Sequence, residues 1–324
     1  MIKKLSILGI AFIALIVSSC GQSNDVSALM QQAAVAYGRG DYSQCISVLS
    51  QVISQQPSFV NAYVQRAGCY NAEGDTSAAI SDLEKAIKLS PRNVPLYIQL
   101  AALWQQLGNS TNESDYYEKA LKLSNVTPEQ YLSIAQGLGA IQEYSSAMNA
   151  VDAGISKYYS YYALYQYKAD LYVALHNWNQ ALLWWGKALK VASNPPDQAS
   201  IYDDRGQNEL NKGLNAQAVK DFEQAVTLEP NNATYYDQLG QAEQADGNFE
   251  QAASSYNKAV RLCIDSGKSC YPTAAGYLDQ LGRDYLAMHD AADAANSFRQ
   301  GLSLLPPGNS SLRSQLEQDL ASIR

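Results

Sequence analysis

One steric pattern recurs eight times in this chain of 324 residues, and its first five copies begin 34 residues apart. In residues 60–93 the pattern comprises two sets of three residues, and spacings of three and four place each set on one face of a helix. Gly74 breaks the chain between the two helices, and Pro91 ends the second one. The pattern therefore predicts a helical hairpin. The residues on the two helix faces are Tyr63, Ala67, Tyr70, Ala79, Leu83 and Ala86.

The copies do not all follow one another without interruption. They begin near residues 26, 60, 94, 128, 162, 199, 233 and 275, because the connection lengthens at Pro195 and Pro196 and again over residues 265–273. In the third copy Glu113 stands where the other copies have a small residue, which predicts that its second helix begins late, after residues 109–112. Because each hairpin buries its apolar faces only against its neighbours, the last hairpin needs a cover. Residues 309–324 are predicted to form this capping helix.

These hairpins resemble the tetratricopeptide repeat, a unit of 34 residues with a large residue at position 4, small residues at positions 8, 20 and 27, and proline at position 32. The resemblance covers residues 26–308 and implies an all-α fold, a right-handed superhelix of about eight helical hairpins followed by the capping helix. In this family the first helices of the hairpins line a concave groove that holds extended peptides or partner helices. The resemblance therefore implies a protein that binds other proteins or peptides.

The N-terminal residues are typical of an export signal. Lys3 and Lys4 precede an apolar run over residues 5–17, which is too short to span a membrane. The segment resembles the bacterial lipoprotein signal, which implies removal of residues 1–19, lipidation of Cys20 and a short linker over residues 20–25. Gly21 is not the aspartate that marks inner-membrane retention in enteric bacteria, so the resemblance favours the outer membrane, with the protein facing the periplasm. An ordinary export signal with an incidental cysteine is the alternative.

Composition and motifs exclude several classes of function. The formal net charge is -8, whereas nucleic-acid binding requires a basic surface. His176 and His289 are the only histidines, and both fall at predicted hairpin turns. No catalytic constellation, metal-ligand pattern or phosphate-binding glycine loop is evident, so we expect a protein that is not an enzyme and needs no cofactor or metal. An enzyme with an unrecognised site is the remaining alternative.

The resemblance also implies which residues face the groove. Asp203, Asp237 and Asp279 occupy position 5 of three successive repeats, so stacking of the repeats predicts a row of carboxylates. Like charges in a row repel unless water or a cationic partner screens them. We therefore expect a partner segment that is basic or rich in amide donors, with a merely solubilising polar face as the alternative. The full set of implied groove residues is Gln136, Asp170, Asp203, Gln207, Asp237, Gln241 and Asp279.

Four cysteines follow Cys20. Cys263 and Cys270 bracket part of the insertion over residues 265–273, and we predict a disulfide between them, which would close a small loop, with free thiols as the alternative. Cys45 and Cys69 fall at positions typical of small core residues, and we expect them to pack there as such.

Two functional hypotheses follow. The first is a membrane-anchored, periplasm-facing scaffold that assists the assembly of an envelope complex, such as a pilus secretin, the outer-membrane machinery or the cell-wall machinery. The second is a lipoprotein that captures a peptide or saccharide through the aromatic residues of repeats four and five, although such rings also serve as core packing. These aromatic residues are Tyr158, Tyr159, Tyr161, Tyr162, Tyr165, Tyr167, Trp178, Trp184 and Trp185.

Overall fold

A computed structural model describes residues 23–308 and 311–323. Within these residues the chain forms seventeen α-helices and one 3-10 helix, and no strand is present. None of the described helices is both long enough and apolar enough to cross a membrane. The chain divides after Tyr159 into two compact units. The predicted lipidation site, Cys20, and the predicted signal segment 1–19 lie outside the described residues.

The N-terminal unit consists of four helical hairpins. Its first helix begins at Ser23, three residues before the first repeat was expected to start. Within each hairpin the two helices pack against each other, and neighbouring hairpins pack in chain order. The helices are α1 (Ser23–Gly38), α2 (Tyr42–Gln55), α3 (Val60–Glu73), α4 (Thr76–Leu89), α5 (Val94–Gln106), α6 (Ser110–Leu121), α7 (Pro128–Ala140) and α8 (Tyr144–Lys157).

The C-terminal unit consists of four further hairpins and one last helix. The insertion that delays the eighth repeat lengthens the second helix of the seventh hairpin and adds a 3-10 helix at Lys268–Cys270. The last helix packs on the second helix of the eighth hairpin, as a cover for the final hairpin does. The helices are α9 (Tyr162–Ala174), α10 (Trp178–Val191), α11 (Pro195–Asn211), α12 (Asn215–Leu228), α13 (Ala233–Ala245), α14 (Phe249–Ser266), α15 (Tyr271–Ala287), α16 (Ala291–Leu304) and α17 (Ser311–Ser322).

The turns inside the hairpins require a left-handed backbone. Gly74 adopts φ 98° after α3, and the next residue, Asp75, accepts a hydrogen bond from the backbone N–H of Ala78 at 2.9 Å, which caps α4. His176 and His289 take the same place with φ 56° and 62°. Both histidines are exposed turn residues, as the sequence predicts.

Close approach of the two helices depends on a small residue opposite a ring. In hairpin six a Cβ added at Gly206 would lie 3.1 Å from the ring of Phe222, and in hairpin seven one added at Gly240 would lie 3.0 Å from the ring of Tyr256. Both rings are fully buried. Glycine at position 8 therefore makes room for an aromatic side chain at position 24, and this pair fixes the spacing of the hairpin.

The expectation of a late second helix in hairpin three is wrong. Helix α6 begins at Ser110, because the side chain of Asn109 accepts a hydrogen bond from the backbone N–H of Asn112 at 3.0 Å and caps the helix there. Glu113 consequently occupies the core position itself and is only 1% exposed. The side-chain amide of Gln105 donates a hydrogen bond to its carboxyl group at 3.0 Å.

All four described cysteines form disulfides. Cys263 and Cys270 are bonded across the insertion, with their Cα atoms 5.4 Å apart. Cys45 and Cys69 are also bonded, with a Cα separation of 6.2 Å, so the interpretation of these two as unlinked core residues is wrong. Both are fully buried, and they face each other because α2 packs directly on α3. This disulfide ties the first hairpin to the second.

A candidate groove on the first helices of the C-terminal unit

The predicted groove residues of the C-terminal unit lie on four successive first helices. Helix α9 carries Asp170, α11 carries Asp203 and Gln207, α13 carries Asp237 and Gln241, and α15 carries Asp279. All of them are half-buried except Asp279, which is 6% exposed. Gln136 belongs to α7 of the N-terminal unit and is half-buried there. The arrangement is a partly desolvated polar surface, and not a freely solvated one.

Asp170 faces a second carboxylate that sequence reasoning missed. Burial raises the pKa of Asp170 well above its ordinary value, and the negative charge of Asp204 on α11 raises it further. The amide of Gln166, on the same helix as Asp170, donates a hydrogen bond to Asp204. Hairpins five and six thus present two carboxylates to each other across their first helices.

Asp237 and Gln241 contact each other one turn apart on α13. The side-chain amide of Gln241 donates a hydrogen bond to Asp237 at 2.9 Å. This bond lowers the pKa of Asp237, but burial outweighs it and the pKa is raised above its ordinary value. A cation placed beside Asp237 would favour its ionised form, so the residue is suited to receive a positive group.

Asp279 does not fit the predicted row. Arg283 donates a hydrogen bond to Asp279 at 3.1 Å and another to Asp319 of α17 at 2.7 Å. The expectation that water or a partner screens Asp279 is therefore wrong, because an arginine of the same helix pairs with it and the last helix covers it. Burial still raises the pKa of Asp279, and the pairing with Arg283 opposes this effect.

Behind the groove surface lie two buried carboxyl groups that sequence reasoning also missed. Asp284 is fully buried and accepts a hydrogen bond from the amide of Gln244 at 2.7 Å, and burial raises its pKa to about 6. Glu243 is 7% exposed and accepts a hydrogen bond from Ser255 at 2.7 Å, and burial raises its pKa to about 7. The signal was available, since Glu243 stands at position 11, where repeat two has Tyr70.

The aromatic residues of hairpin five serve mainly as packing. Trp185 is fully buried, with its ring centroid 5.6 Å from that of Trp178. The ammonium groups of Lys168 and Lys187 lie 4.1 Å and 3.5 Å from the ring centroid of Trp184. In the N-terminal unit Tyr158 donates a hydrogen bond to the carbonyl of Val126 at 2.8 Å, while Tyr159 is 78% exposed.

Within the described part of the chain, no group of three or more histidine, cysteine, aspartate or glutamate side chains could hold a metal ion.

Comparisons with known proteins agree with the repeat pattern. Family models of the tetratricopeptide repeat match residues 60–93, 94–127 and 204–266, so both units contain such repeats. No curated protein sequence matches the chain.

Similar solved structures include yeast Tom70, which is 17% identical with a TM-score of 0.54 over 96% of this chain and 66% of that chain. The C-terminal part of a tetratricopeptide protein from Cytophaga hutchinsonii is 16% identical, with a TM-score of 0.53 over 89% and 99%. The Cut9–Hcn1 heterotetramer of the APC/C is 13% identical, with a TM-score of 0.45 over 93% and 57%. The chain thus spans less than two thirds of Tom70 and of the chain matched in Cut9–Hcn1. The first two likenesses, at these identities, show the fold alone, and they confirm an all-α tetratricopeptide solenoid.

Proposed function

We propose that this protein is a non-enzymatic scaffold, anchored to a membrane through Cys20, that binds a segment of another envelope protein. The proposed binding surface is formed by the first helices α9, α11 and α13, and the partner segment is basic or rich in amide donors. The proposed role is assembly of an envelope complex, such as a pilus secretin, the outer-membrane machinery or the cell-wall machinery. Tetratricopeptide repeats supply the general basis, because they bind other proteins.

The observation that carries this proposal is the partial desolvation of carboxylates on successive first helices. Burial raises the pKa of Asp170 and of Asp237, so both side chains are more costly to ionise than in water. A lysine, arginine or amide N–H of a partner would offset that cost and gain a charge-assisted hydrogen bond. A surface intended only for solubility has no need to hold its carboxylates half-buried.

The test of the groove is a double substitution with a matched control. Asp203→Asn with Asp237→Asn removes two charges at nearly constant shape, and we expect slower association with the partner and a weaker dependence on salt. Asp279 is left intact, because its pairing with Arg283, which also binds Asp319, belongs to the fold. The control, Glu223→Gln with Asp265→Asn, removes two exposed charges from second helices of the same unit.

The partner for this measurement is first identified by crosslinking in intact cells and then purified, so that association and dissociation rates can be measured directly. Equal association rates for the two double variants would refute the groove as the binding surface. Recovery of small ligands only, with no defined envelope complex, would favour the alternative of peptide or saccharide capture.

The anchor is tested separately. Cys20→Ala should abolish incorporation of a fatty-acid probe and block removal of residues 1–19, because a lipoprotein signal uses that thiol for lipidation and for its own processing. Labelling that persists in the Cys20→Ala protein would refute a lipid anchor at this residue.

A further inference from the structure

The N-terminal unit contains a cavity of about 440 Å³ that the groove does not use. It lies between the second helices α4 and α6, at the start of the first helix α5. Its volume falls in the range of small-ligand sites, roughly 300 to 1,000 Å³. The residues that line it are Glu84, Ile87, Lys88, Tyr97, Tyr116 and Lys119.

Two aromatic walls of this cavity are held in place by their own hydroxyl groups. Tyr97 donates a hydrogen bond to the backbone carbonyl of Pro91 at 2.9 Å, and Tyr116 donates one to Glu84 at 3.2 Å. Both tyrosines are half-buried. Because the rings are already fixed, a ligand that packs against them pays little for ordering the site.

The charges around the cavity balance. The ammonium of Lys119 lies 2.5 Å from a carboxylate oxygen of Asp115 and 4.3 Å from the ring centroid of Tyr116. Lys88 is exposed, and Glu84 supplies a second carboxylate. Asp115 lies outside the lining but neutralises Lys119, and within the lining Lys88 and Glu84 carry opposite charges, so the cavity offers both donors and acceptors with little net charge.

We propose that this cavity binds a neutral saccharide. A pyranose ring presents C–H groups on its faces and hydroxyl groups around its rim, so it can pack on Tyr97 and Tyr116 while Lys88 and Glu84 bond its hydroxyls. An apolar side chain of a peptide would need aliphatic walls, and Ile87 is the one aliphatic residue in the lining. An anionic ligand would have to displace Asp115 from Lys119 and would be repelled by Glu84.

The experiment uses the full-length chain and three neutral trisaccharides, namely N-acetylglucosamine trimer, maltotriose and cellotriose. Saturation-transfer NMR detects binding, and calorimetry gives the Kd. We expect at least one of them to bind, and Lys88→Ala and Glu84→Gln each to weaken that binding by about tenfold, as loss of a hydrogen bond to a charged group predicts. Lys85→Ala is the matched control, because Lys85 is exposed on the same helix and lies outside the lining.

Three results would overturn the proposal. One is absence of binding for all three sugars at about 10 mM, a concentration that would nearly fill a site with a Kd of about 1 mM. Another is equal affinity for Lys88→Ala, Glu84→Gln and Lys85→Ala with melting temperatures unchanged. The third is binding of a glucuronate trimer or an acidic peptide in place of the neutral sugars. The groove variant Asp203→Asn with Asp237→Asn should bind the sugar normally, so failure of either proposal leaves the other intact.

Discussion

Glu113→Gln is the substitution whose effect the structure defines most closely. Glu113 is 1% exposed at a core position of α6, and Gln105 is its hydrogen-bond donor. Burial raises its pKa from 4.5 to about 7, and the bond from Gln105 opposes this only in part. Glutamine keeps the size and one acceptor oxygen but cannot ionise, so the substitution removes the charge alone.

The sign and size of the effect follow from linkage. Below about pH 4.5 the carboxyl group is protonated in both the folded and the unfolded chain and has no cost. As pH rises to about 7 the unfolded chain ionises while the folded chain holds its proton, so stability falls throughout this window. A shift from 4.5 to about 7 corresponds to about 3 kcal/mol above pH 7, as an upper limit. Between pH 5 and pH 8 the loss attributable to Glu113 is then about 2 kcal/mol.

The assay is urea denaturation at pH 5 and pH 8, with hydrogen-exchange mass spectrometry reporting on peptides from α5 and α6. We expect Glu113→Gln to stabilise these helices by about 2 to 3 kcal/mol at pH 8 and by less than about 1 kcal/mol at pH 5. Glu118→Gln, an exposed residue of the same helix, is the control and should change neither value. A gain for Glu113→Gln that is equal at both pH values would refute the account, because it would show that ionisation is not the cause.

Three further substitutions test the fold. Asp221→Asn breaks the bidentate pair with Arg205, whose two bonds are both 2.6 Å long, and should destabilise the C-terminal unit by about 2 to 3 kcal/mol in thermal unfolding. Gln142→Gly relieves a left-handed backbone with φ 64° and should raise the free energy of unfolding by about 1 kcal/mol, whereas an unchanged or lower value would contradict the strain. Replacing Cys45 and Cys69 together by alanine opens a loop with a sequence separation of 24 and should cost the N-terminal unit about 3 kcal/mol; equal urea midpoints would contradict this.

The sequence predicts the hairpins well because each one is specified by several independent steric requirements. Three features recur together in the repeats: a left-handed residue at the turn, a small residue at position 8 and a ring at position 24. The repeat can therefore still be recognised when one of the three is substituted. This is why His176 and His289 were placed correctly at turns although neither is glycine. The Cys45–Cys69 disulfide was missed for the opposite reason. Cys45 and Cys69 occupy different positions in two successive repeats. Nothing within the first repeat indicates which residue of the second repeat Cys45 faces.

Burial in the groove was harder to predict than position. Asp237 and Asp279 occupy the same repeat position, yet the first is half-buried and bound to Gln241 while the second is paired with Arg283. The two partners stand one turn later on the same helix, glutamine in repeat seven and arginine in repeat eight, so each repeat contains its own partner residue. A single repeat does not contain Asp319 of the covering helix, which also binds Arg283. Glu243 gave a usable signal, since repeats two and five carry Tyr70 and Tyr172 at the same position, and Glu243 is 7% exposed there.

Equivalence between repeats fails first at the end of a solenoid. Helix α11 is in contact with the next first helix, α13, but α15 is followed only by α16 and the covering helix α17. Asp319 of α17 takes one donor of Arg283, and that same arginine holds Asp279. The contacts that cover the last hairpin therefore engage Asp279, the carboxylate that would otherwise extend the groove. The proposed binding surface ends at α13, and a partner segment that follows it needs to span the first helices of hairpins five to seven and no further.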